Sequence, residues 1–228
     1  MIEMRGVYKK YPNGVIALNG IDVKINPGEF VYVVGPSGAG KSTFIKMMYR
    51  EEKATKGTIV INGINVGKLK DKQVPLLRRN IGVVFQDFKL LPTLTVYENV
   101  AFALEVIEEH PKYIKRRVME TLDLVGLKHK VRMFPSELSG GEQQRVAIAR
   151  SIVNSPKVVI ADEPTGNLDP ETTWEIMKIF EEINMRGTTV VMATHNKDIV
   201  NRIKHRVIAI EGGVIVRDEE RGEYGYEN

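Results

Sequence analysis

Between the apolar run Phe30 to Val34 and the amphipathic stretch that opens at Lys41 lies Gly35-Pro36-Ser37-Gly38-Ala39-Gly40-Lys41-Ser42. No other feature constrains the chain so tightly. The octapeptide fits the pattern G-x-x-x-x-G-K-[ST], which functions only on a strand-to-helix turn. Its glycines let successive backbone N–H groups curl around a phosphate, and the helix start adds the positive end of its dipole. Lys41 can neutralise charge on β- and γ-phosphates, and the Ser42 hydroxyl can ligate Mg²⁺. Residues Gly35, Pro36, Ser37, Gly38, Ala39, Gly40, Lys41, Ser42 and Thr43 are therefore expected to cradle a nucleotide's phosphates. A strand feeding such a loop belongs to a mostly parallel sheet with helices around it.

The rest of the chain bears that out in pattern. Short β-rich runs are expected at Ile2 to Tyr8, Ile16 to Ile25, Phe30 to Val34, Thr58 to Ile61 and Ile81 to Phe85, with turn residues between them. A helix should run from Lys41 to about Glu51. Helical periodicity then dominates, at Val96 to Glu109, Pro111 to Val125 and Gly141 to Val153. Strands Val158 to Ala161, Thr188 to Ala193, Val207 to Ile210 and Val214 to Val216 follow, interleaved with helices Pro170 to Met185 and Asn196 to Ile203. The helical block is too long for a simple crossover. The expected organisation is a single domain: residues 1–86 carry a β subdomain and the first part of the α/β core, 87–155 an inserted helical subdomain, 156–216 the rest of the core, and 217–228 a loose polar tail.

Val158-Val159-Ile160-Ala161-Asp162-Glu163 is an apolar strand ending in two carboxylates. Successive strand residues point to opposite sides, so the two acids cannot share a role. Asp162 is placed for the Mg²⁺ shell, and Glu163 for polarising an attacking water. Pro164 stops the strand at its carboxyl end, where α/β sheets bind ligands. Asn196-Lys197-Asp198 resembles the start of the guanine-specificity pattern N-K-x-D, but Ile199 occupies its fourth position. Asn196 is better read as a helix cap. Those two motifs alone still leave a small-molecule kinase open.

Leu138-Ser139-Gly140-Gly141-Glu142-Gln143 narrows the choice. It is a second Ser-Gly-Gly helix start fit for an anion. One nucleotide has no evident need of two such cradles from one chain. The economical reading is that each copy lends this loop to the γ-phosphate held by another, so that ATP joins a homodimer and hydrolysis releases it.

Leu138 to Gln143 resembles the signature motif of ABC ATPases, and other matches fall in that family's order. The resemblance implies a P-loop core with an N-terminal antiparallel β subdomain and an inserted helical subdomain. By the same resemblance, Tyr11 would stack on adenine, Gln86 would sense Mg²⁺ and the water, Asn167-Leu168-Asp169 would form the D-loop, and His195 would contact the γ-phosphate. Glu163, His195, Gln86 and Lys41 are then the catalytic set; Ser42, Gln86 and Asp162 hold Mg²⁺; and Ser139, Gly140, Gly141 and Glu142 complete ATP binding. Each of Tyr11, Gln86 and His195 also has a plainer reading, as a turn aromatic, a solvated loop amide and a helix cap.

Nothing in the chain offers the ~18 consecutive apolar residues of a membrane span, and the N-terminus lacks the order of a signal peptide. Work must then be delivered through contact, and the family resemblance implies that this happens at the cytoplasmic face of a cell membrane. The apolar passage Phe88 to Tyr97 either packs inside the helical subdomain or receives a short helix from a membrane subunit. The passages Val83 to Pro92, Thr95 to Phe102 and Ala161 to Pro170 resemble the cell-division branch of the family. That branch implies an FtsX-like integral membrane partner and control of peptidoglycan hydrolysis. Lipoprotein-releasing and macrolide-efflux ATPases share these motifs and stay open as alternatives, as does a soluble cassette acting on DNA or ribosomes. A net charge of +4 with interspersed signs is too weak to argue for nucleic acid. The basic run Lys112 to Arg117 is either a solvated helix face or one turned toward anionic lipid.

Overall fold

The structure, a computed structural model, describes residues 1–225. In chain order its elements are β1 (Ile2–Lys10), β2 (Ile16–Ile25), β3 (Phe30–Val34), α1 (Lys41–Met48), β4 (Lys56–Ile61), β5 (Ile64–Asn65), α2 (Val74–Arg78), β6 (Ile81–Val84), α3 (Val96–Glu105) and α4 (Pro111–Leu124). They continue with α5 (Gly140–Ile152), β7 (Val158–Asp162), α6 (Pro170–Met185), β8 (Thr189–Ala193), α7 (Lys197–Arg202), β9 (Arg206–Glu211) and β10 (Val214–Glu219). This is an α/β fold with one antiparallel and one mixed sheet. Two compact units divide the chain: residues 1–78 with the chain from 189 onward, and residues 79–188.

In the first unit, β2-β1-β4-β5 form the antiparallel sheet. Strand β1 buries Ile2 and Met4, then Val7 and Lys9. That change of parity follows from an extra residue between Met4 and Val7, where the register on β2 slips. A bulge of this kind moves later side chains to the other face, so all four reach the same side. The mixed part of this unit runs β10-β9-β3-β8, with β3 parallel to both β8 and β9. Every residue of β3 and β8 is buried, as expected for parallel strands covered on both faces.

Helix α1 stops at Met48, short of the expected Glu51. Arg50 turns to φ 61° and the N–H groups of Glu51 and Glu52 both donate to the Lys46 carbonyl, at 3.0 and 3.3 Å. These bonds satisfy an otherwise orphaned helix-end carbonyl. The segment with β5 and α2 carries little apolar periodicity. β5 pairs antiparallel with β4, Ile64 opposite Ile61, and arginines hold the flanking chain: Arg50 Nε donates to the Val66 carbonyl at 3.2 Å, and Arg78 Nε to that of Tyr49 at 2.9 Å. Strand β10 runs to Glu219, into the stretch expected to be loose. Arg206 fastens it, pairing with both Asp218 carboxylate oxygens at 2.7 and 2.8 Å and with Glu29 at 2.7 Å. The part of the expected tail at 226–228 lies outside the described residues.

In the second unit β6 and β7 pair in parallel, from Ile81 opposite Val158 to Val84 opposite Ala161. Helix α5 packs on β6, and α3, α4 and α6 pack on α5. Thr95 and Glu98 form a reciprocal capping box that starts α3, and Pro111 occupies the first turn of α4 behind its His110 cap. No helix among the described residues is long and apolar enough to cross a membrane.

Candidate functional site

The first unit contains the phosphate loop, joining β3 to α1 as the motif requires. Gly40 caps α1 at φ 107°, and a Cβ there would lie 2.4 Å from the Ala17 carbonyl oxygen. Glycine is obligatory at that point on both counts. Lys41 Nζ donates to the carbonyls of Gly35 at 2.7 Å and Pro36 at 3.0 Å, so the loop's own backbone holds the ammonium over its mouth. Ser37 and Ser42 are exposed, whereas Ala39 is buried beneath the loop. The Tyr11 hydroxyl meets Thr43 Oγ1 at 3.1 Å, and Lys9 Nζ sits 4.8 Å from the Tyr11 ring centre. Lys9 is itself anchored by Glu52 at 2.6 Å and the Lys53 carbonyl at 2.9 Å. Tyr11 is thus tied to α1, the helix that follows the phosphate loop.

His195 is exposed just after β8. Its neighbours fix the backbone there: the Thr194 N–H donates to the Val33 carbonyl at 3.2 Å, and the Asn196 N–H to Thr194 Oγ1 at 3.0 Å. Asn196 Oδ1 accepts from the Ile199 N–H at 3.2 Å, so the residue that imitates a guanine motif is the cap of α7.

The second unit contains the paired acids. Asp162 ends β7, and Glu163 follows in the left-handed region at φ 49°. That conformation costs a side-chain-bearing residue about 1–2 kcal/mol, and a following proline disfavours helical backbone further. The turn is held by the Gly166 N–H donating to the Glu163 carbonyl at 3.1 Å and by Gln144 Nε2 donating to the Pro164 carbonyl at 2.5 Å. Gln86 and Asn167 bond reciprocally, Gln86 Nε2 to Asn167 Oδ1 at 3.3 Å and Asn167 Nδ2 to the Gln86 carbonyl at 3.4 Å. Asp169 caps α6, accepting from the N–H and hydroxyl of Thr172 at 2.9 and 2.6 Å, and these bonds hold its carboxyl below the usual range.

The Ser-Gly-Gly segment begins α5. Ser139 is the cap, its Oγ accepting from the Glu142 N–H at 3.3 Å while Glu142 Oε2 accepts from the Ser139 N–H at 3.0 Å. Ser139 and Gly140 are exposed. Gly141 is buried, and a Cβ there would fall 2.3 Å from Thr172 Cγ2 on α6. Lys130 pairs with Glu142 at 2.6 Å and depresses its carboxyl below the ordinary value.

After Gln86, Phe88 and Lys89 take φ 59° and 50°. Arg150 Nη2 donates to the Phe88 carbonyl at 3.0 Å, and burial pulls that guanidinium's pKa down. Asn99, fully buried, accepts from the Leu91 N–H at 2.9 Å and donates to the carbonyls of Leu91, Leu94 and Thr95. A side-chain framework therefore stiffens the apolar passage. The sequence alone assigns no role at the site to Gln144, Lys130, Asn99 or Arg150. Only Gln144 left a trace, as a glutamine on the apolar stripe Gly141–Gln144–Ile148 of α5.

Ser42, Asp162 and Gln86 are hard oxygen donors. Mg²⁺ keeps several waters and takes one or two protein oxygens beside substrate phosphates. No cluster of three or more His, Cys, Asp or Glu that could hold a metal occurs among the described residues. Each of the three, taken singly, is a donor of the kind that Mg²⁺ accepts beside a phosphate.

A family model described as ABC transporter matches residues 18–166. The chain is 76% identical over 225 residues to the cell division ATP-binding protein FtsE of Bacillus subtilis, covering 99% of each chain. It is 68% identical over 228 residues to FtsE of Streptococcus pneumoniae, covering 100% of this chain and 99% of the relative. Among solved structures, it superposes on a dimeric bacterial ABC transporter cassette, MJ0796, with TM-score 0.88 and 36% identity over 99% of this chain and 100% of that one. The same cassette in a post-hydrolysis dimer bound to ADP and Pi gives TM-score 0.87 and 35% identity, with the same coverage.

Proposed function

This chain belongs to the ABC transporter family and is an ATPase, and from that premise we propose that it pairs with a second copy around ATP to drive an FtsX-like membrane partner in cell division. The observation that carries the pairing is the exposed Ser139-Gly140 start of α5, an anion cradle separate in sequence from the phosphate loop. Its capping serine and its place at a helix N-terminus suit it to a γ-phosphate. A second copy supplies one.

In this reading Tyr11 stacks on adenine and residues Gly35 to Thr43 wrap the phosphates with backbone N–H groups. Lys41 neutralises the β- and γ-phosphate oxygens. Ser42, Asp162 and Gln86 would hold Mg²⁺, which when bound offsets phosphate charge. Glu163 takes a proton from, or orients, a water for in-line attack on the γ-phosphorus, and the O–P bond to the β-phosphate breaks to give ADP and phosphate. His195, with Ser139 and Gly141 from the second copy, stabilises the equatorial oxygens.

Work leaves through the passage from Phe88 to Tyr97, which Asn99 and Arg150 hold firm enough to transmit a push. The exposed Lys112, Tyr113, Lys115 and Arg116 of α4 support a contact with anionic lipid head groups, and the protein would sit at the cytoplasmic face of the membrane. The test is co-purification from membranes. Recovery with an FtsX-like protein supports the division role. Recovery with a lipoprotein-release or efflux permease, or with ribosomal or DNA-repair proteins, overturns it.

A further inference from the structure

Gln144 is fully buried, yet it sits on the apolar stripe of α5. Its Nε2 donates to the Pro164 carbonyl at 2.5 Å, while its Oε1 is buried with no hydrogen-bond partner. Burying an amide oxygen without a partner is destabilising, so packing alone would favour methionine or leucine here. Local rules are broken in this way where a site needs a particular group held. The bond ends one residue after Glu163, the residue forced into left-handed backbone ahead of a proline. Such backbone persists only where its surroundings over-determine it.

We propose that Gln144 is a positioning residue whose buried carboxamide, reaching from the helix that begins with the Ser139-Gly140-Gly141 cradle, holds the Glu163–Pro164 turn so that the Glu163 carboxylate faces its water. Gln144 touches neither nucleotide nor water and acts through Glu163. The cradle helix thereby braces the base of its own subunit. A change in the tilt of α5 would be felt at the base through one hydrogen bond.

This inference rests on the reading of Glu163 as the water-activating group, and Glu163→Gln tests that reading by itself. Normal phosphate release there would remove the base whatever Gln144 does. The experiment on Gln144 uses the full ATPase, with its membrane partner where turnover needs it. Gln144→Met removes both polar atoms at nearly constant volume, and is expected to lower kcat about tenfold with KM for ATP within about twofold. In the Glu163→Gln background the same change should lower the residual rate by less than about twofold, because the turn no longer carries a base. An unchanged kcat, or an equal loss in both backgrounds, overturns the proposal.

If Gln144→Met does not fold, Gln144→Glu supplies a second readout. A protonated carboxyl can donate to the Pro164 carbonyl and a carboxylate cannot. Turnover of that variant should fall as pH rises through the pKa of the new carboxyl, on a limb the unaltered protein lacks. Parallel pH profiles would overturn the assignment.

Discussion

In the proposed reading the phosphate loop and the Glu163 turn each prepare a group for ATP, but they are built from different material. Residues 35–43 are contiguous, and backbone does most of the work: glycine at Gly40, and carbonyls of Gly35 and Pro36 that hold Lys41 in place. The Glu163 turn depends on chain segments far apart in sequence. Gln144 and Pro164 are 20 residues apart and Gln86 and Asn167 are 81 apart, each joined by side-chain amides. A grip made of backbone tolerates change in its neighbours. An aim made of side chains does not. The loop should therefore govern affinity, and the turn should govern rate.

The sharpest way to break that contrast is Glu163→Gln. It keeps size and hydrogen-bonding capacity but removes the base, so kcat should fall by about 10²-fold or more with ATP affinity nearly unchanged. Phosphate release and equilibrium nucleotide titration on the same sample decide it. With Mg·ATP and its membrane partner, this variant should also accumulate as a pair of copies, visible by size. Lys41→Ala should behave in the opposite manner. Losing a charge-assisted contact to phosphate is expected to weaken ATP binding by about 10- to 100-fold. If Lys41→Ala spared affinity and lost only rate, the division of labour would be wrong.

The same contrast explains what could be read in the sequence. The phosphate loop, the apolar β7 ending in Asp162 and the Ser139 cap are short-range patterns, and each lies where its motif placed it. Helix α6 was legible to the residue because Asp169 and Pro170 announce its start. By contrast, β5 is only two residues long beyond the Asn62-Gly63 turn, and α2 left no signal, since Arg78 on it reaches a carbonyl 29 residues away. The end of α1 depended on one left-handed residue, Arg50, with no glycine to mark it. Gln144 left only the trace of a glutamine on an apolar stripe and nothing to mark it as a brace, because its partner Pro164 lies 20 residues away. Side-chain ties across long separations are what pattern reading misses.

A smaller effect sharpens the comparison at the α5–α6 contact. Gly141 is needed there by a neighbour's side chain, Thr172 Cγ2, whereas the tightest contact at Gly40 is with backbone, the Ala17 carbonyl oxygen, ahead of Leu18 Cδ2. Gly141→Ala should destabilise by about 1–3 kcal/mol through overpacking, read as a shift in denaturation midpoint. Adding Thr172→Ser removes the offending methyl and keeps the hydroxyl bond to Asp169, so most of the loss should return. A Gly40→Ala defect should admit no such partner, since the Ala17 carbonyl cannot be mutated away. Rescue at Gly40 by a side-chain change, or no rescue at Gly141, would erase the distinction.

The smallest effect concerns charge at the cradle. Lys130 holds the Glu142 carboxyl below its ordinary pKa, and both side chains are largely covered, with 23% and 16% exposure. A carboxyl whose folded pKa is depressed binds fewer protons when folded than when unfolded. The stability it contributes is full above the unfolded value and fades as pH falls through the folded one. Lys130→Met should therefore cost about 1 kcal/mol near neutrality, a few degrees in Tm for a chain of this size. The gap between the two melting curves should narrow as pH drops below the ordinary carboxyl range, because both proteins then carry a neutral Glu142. Thermal melts across that range decide it. A gap that stays constant would mean that Lys130 acts through its packed aliphatic stem, leaving the capping box of Ser139 and Glu142 to hold the cradle unaided.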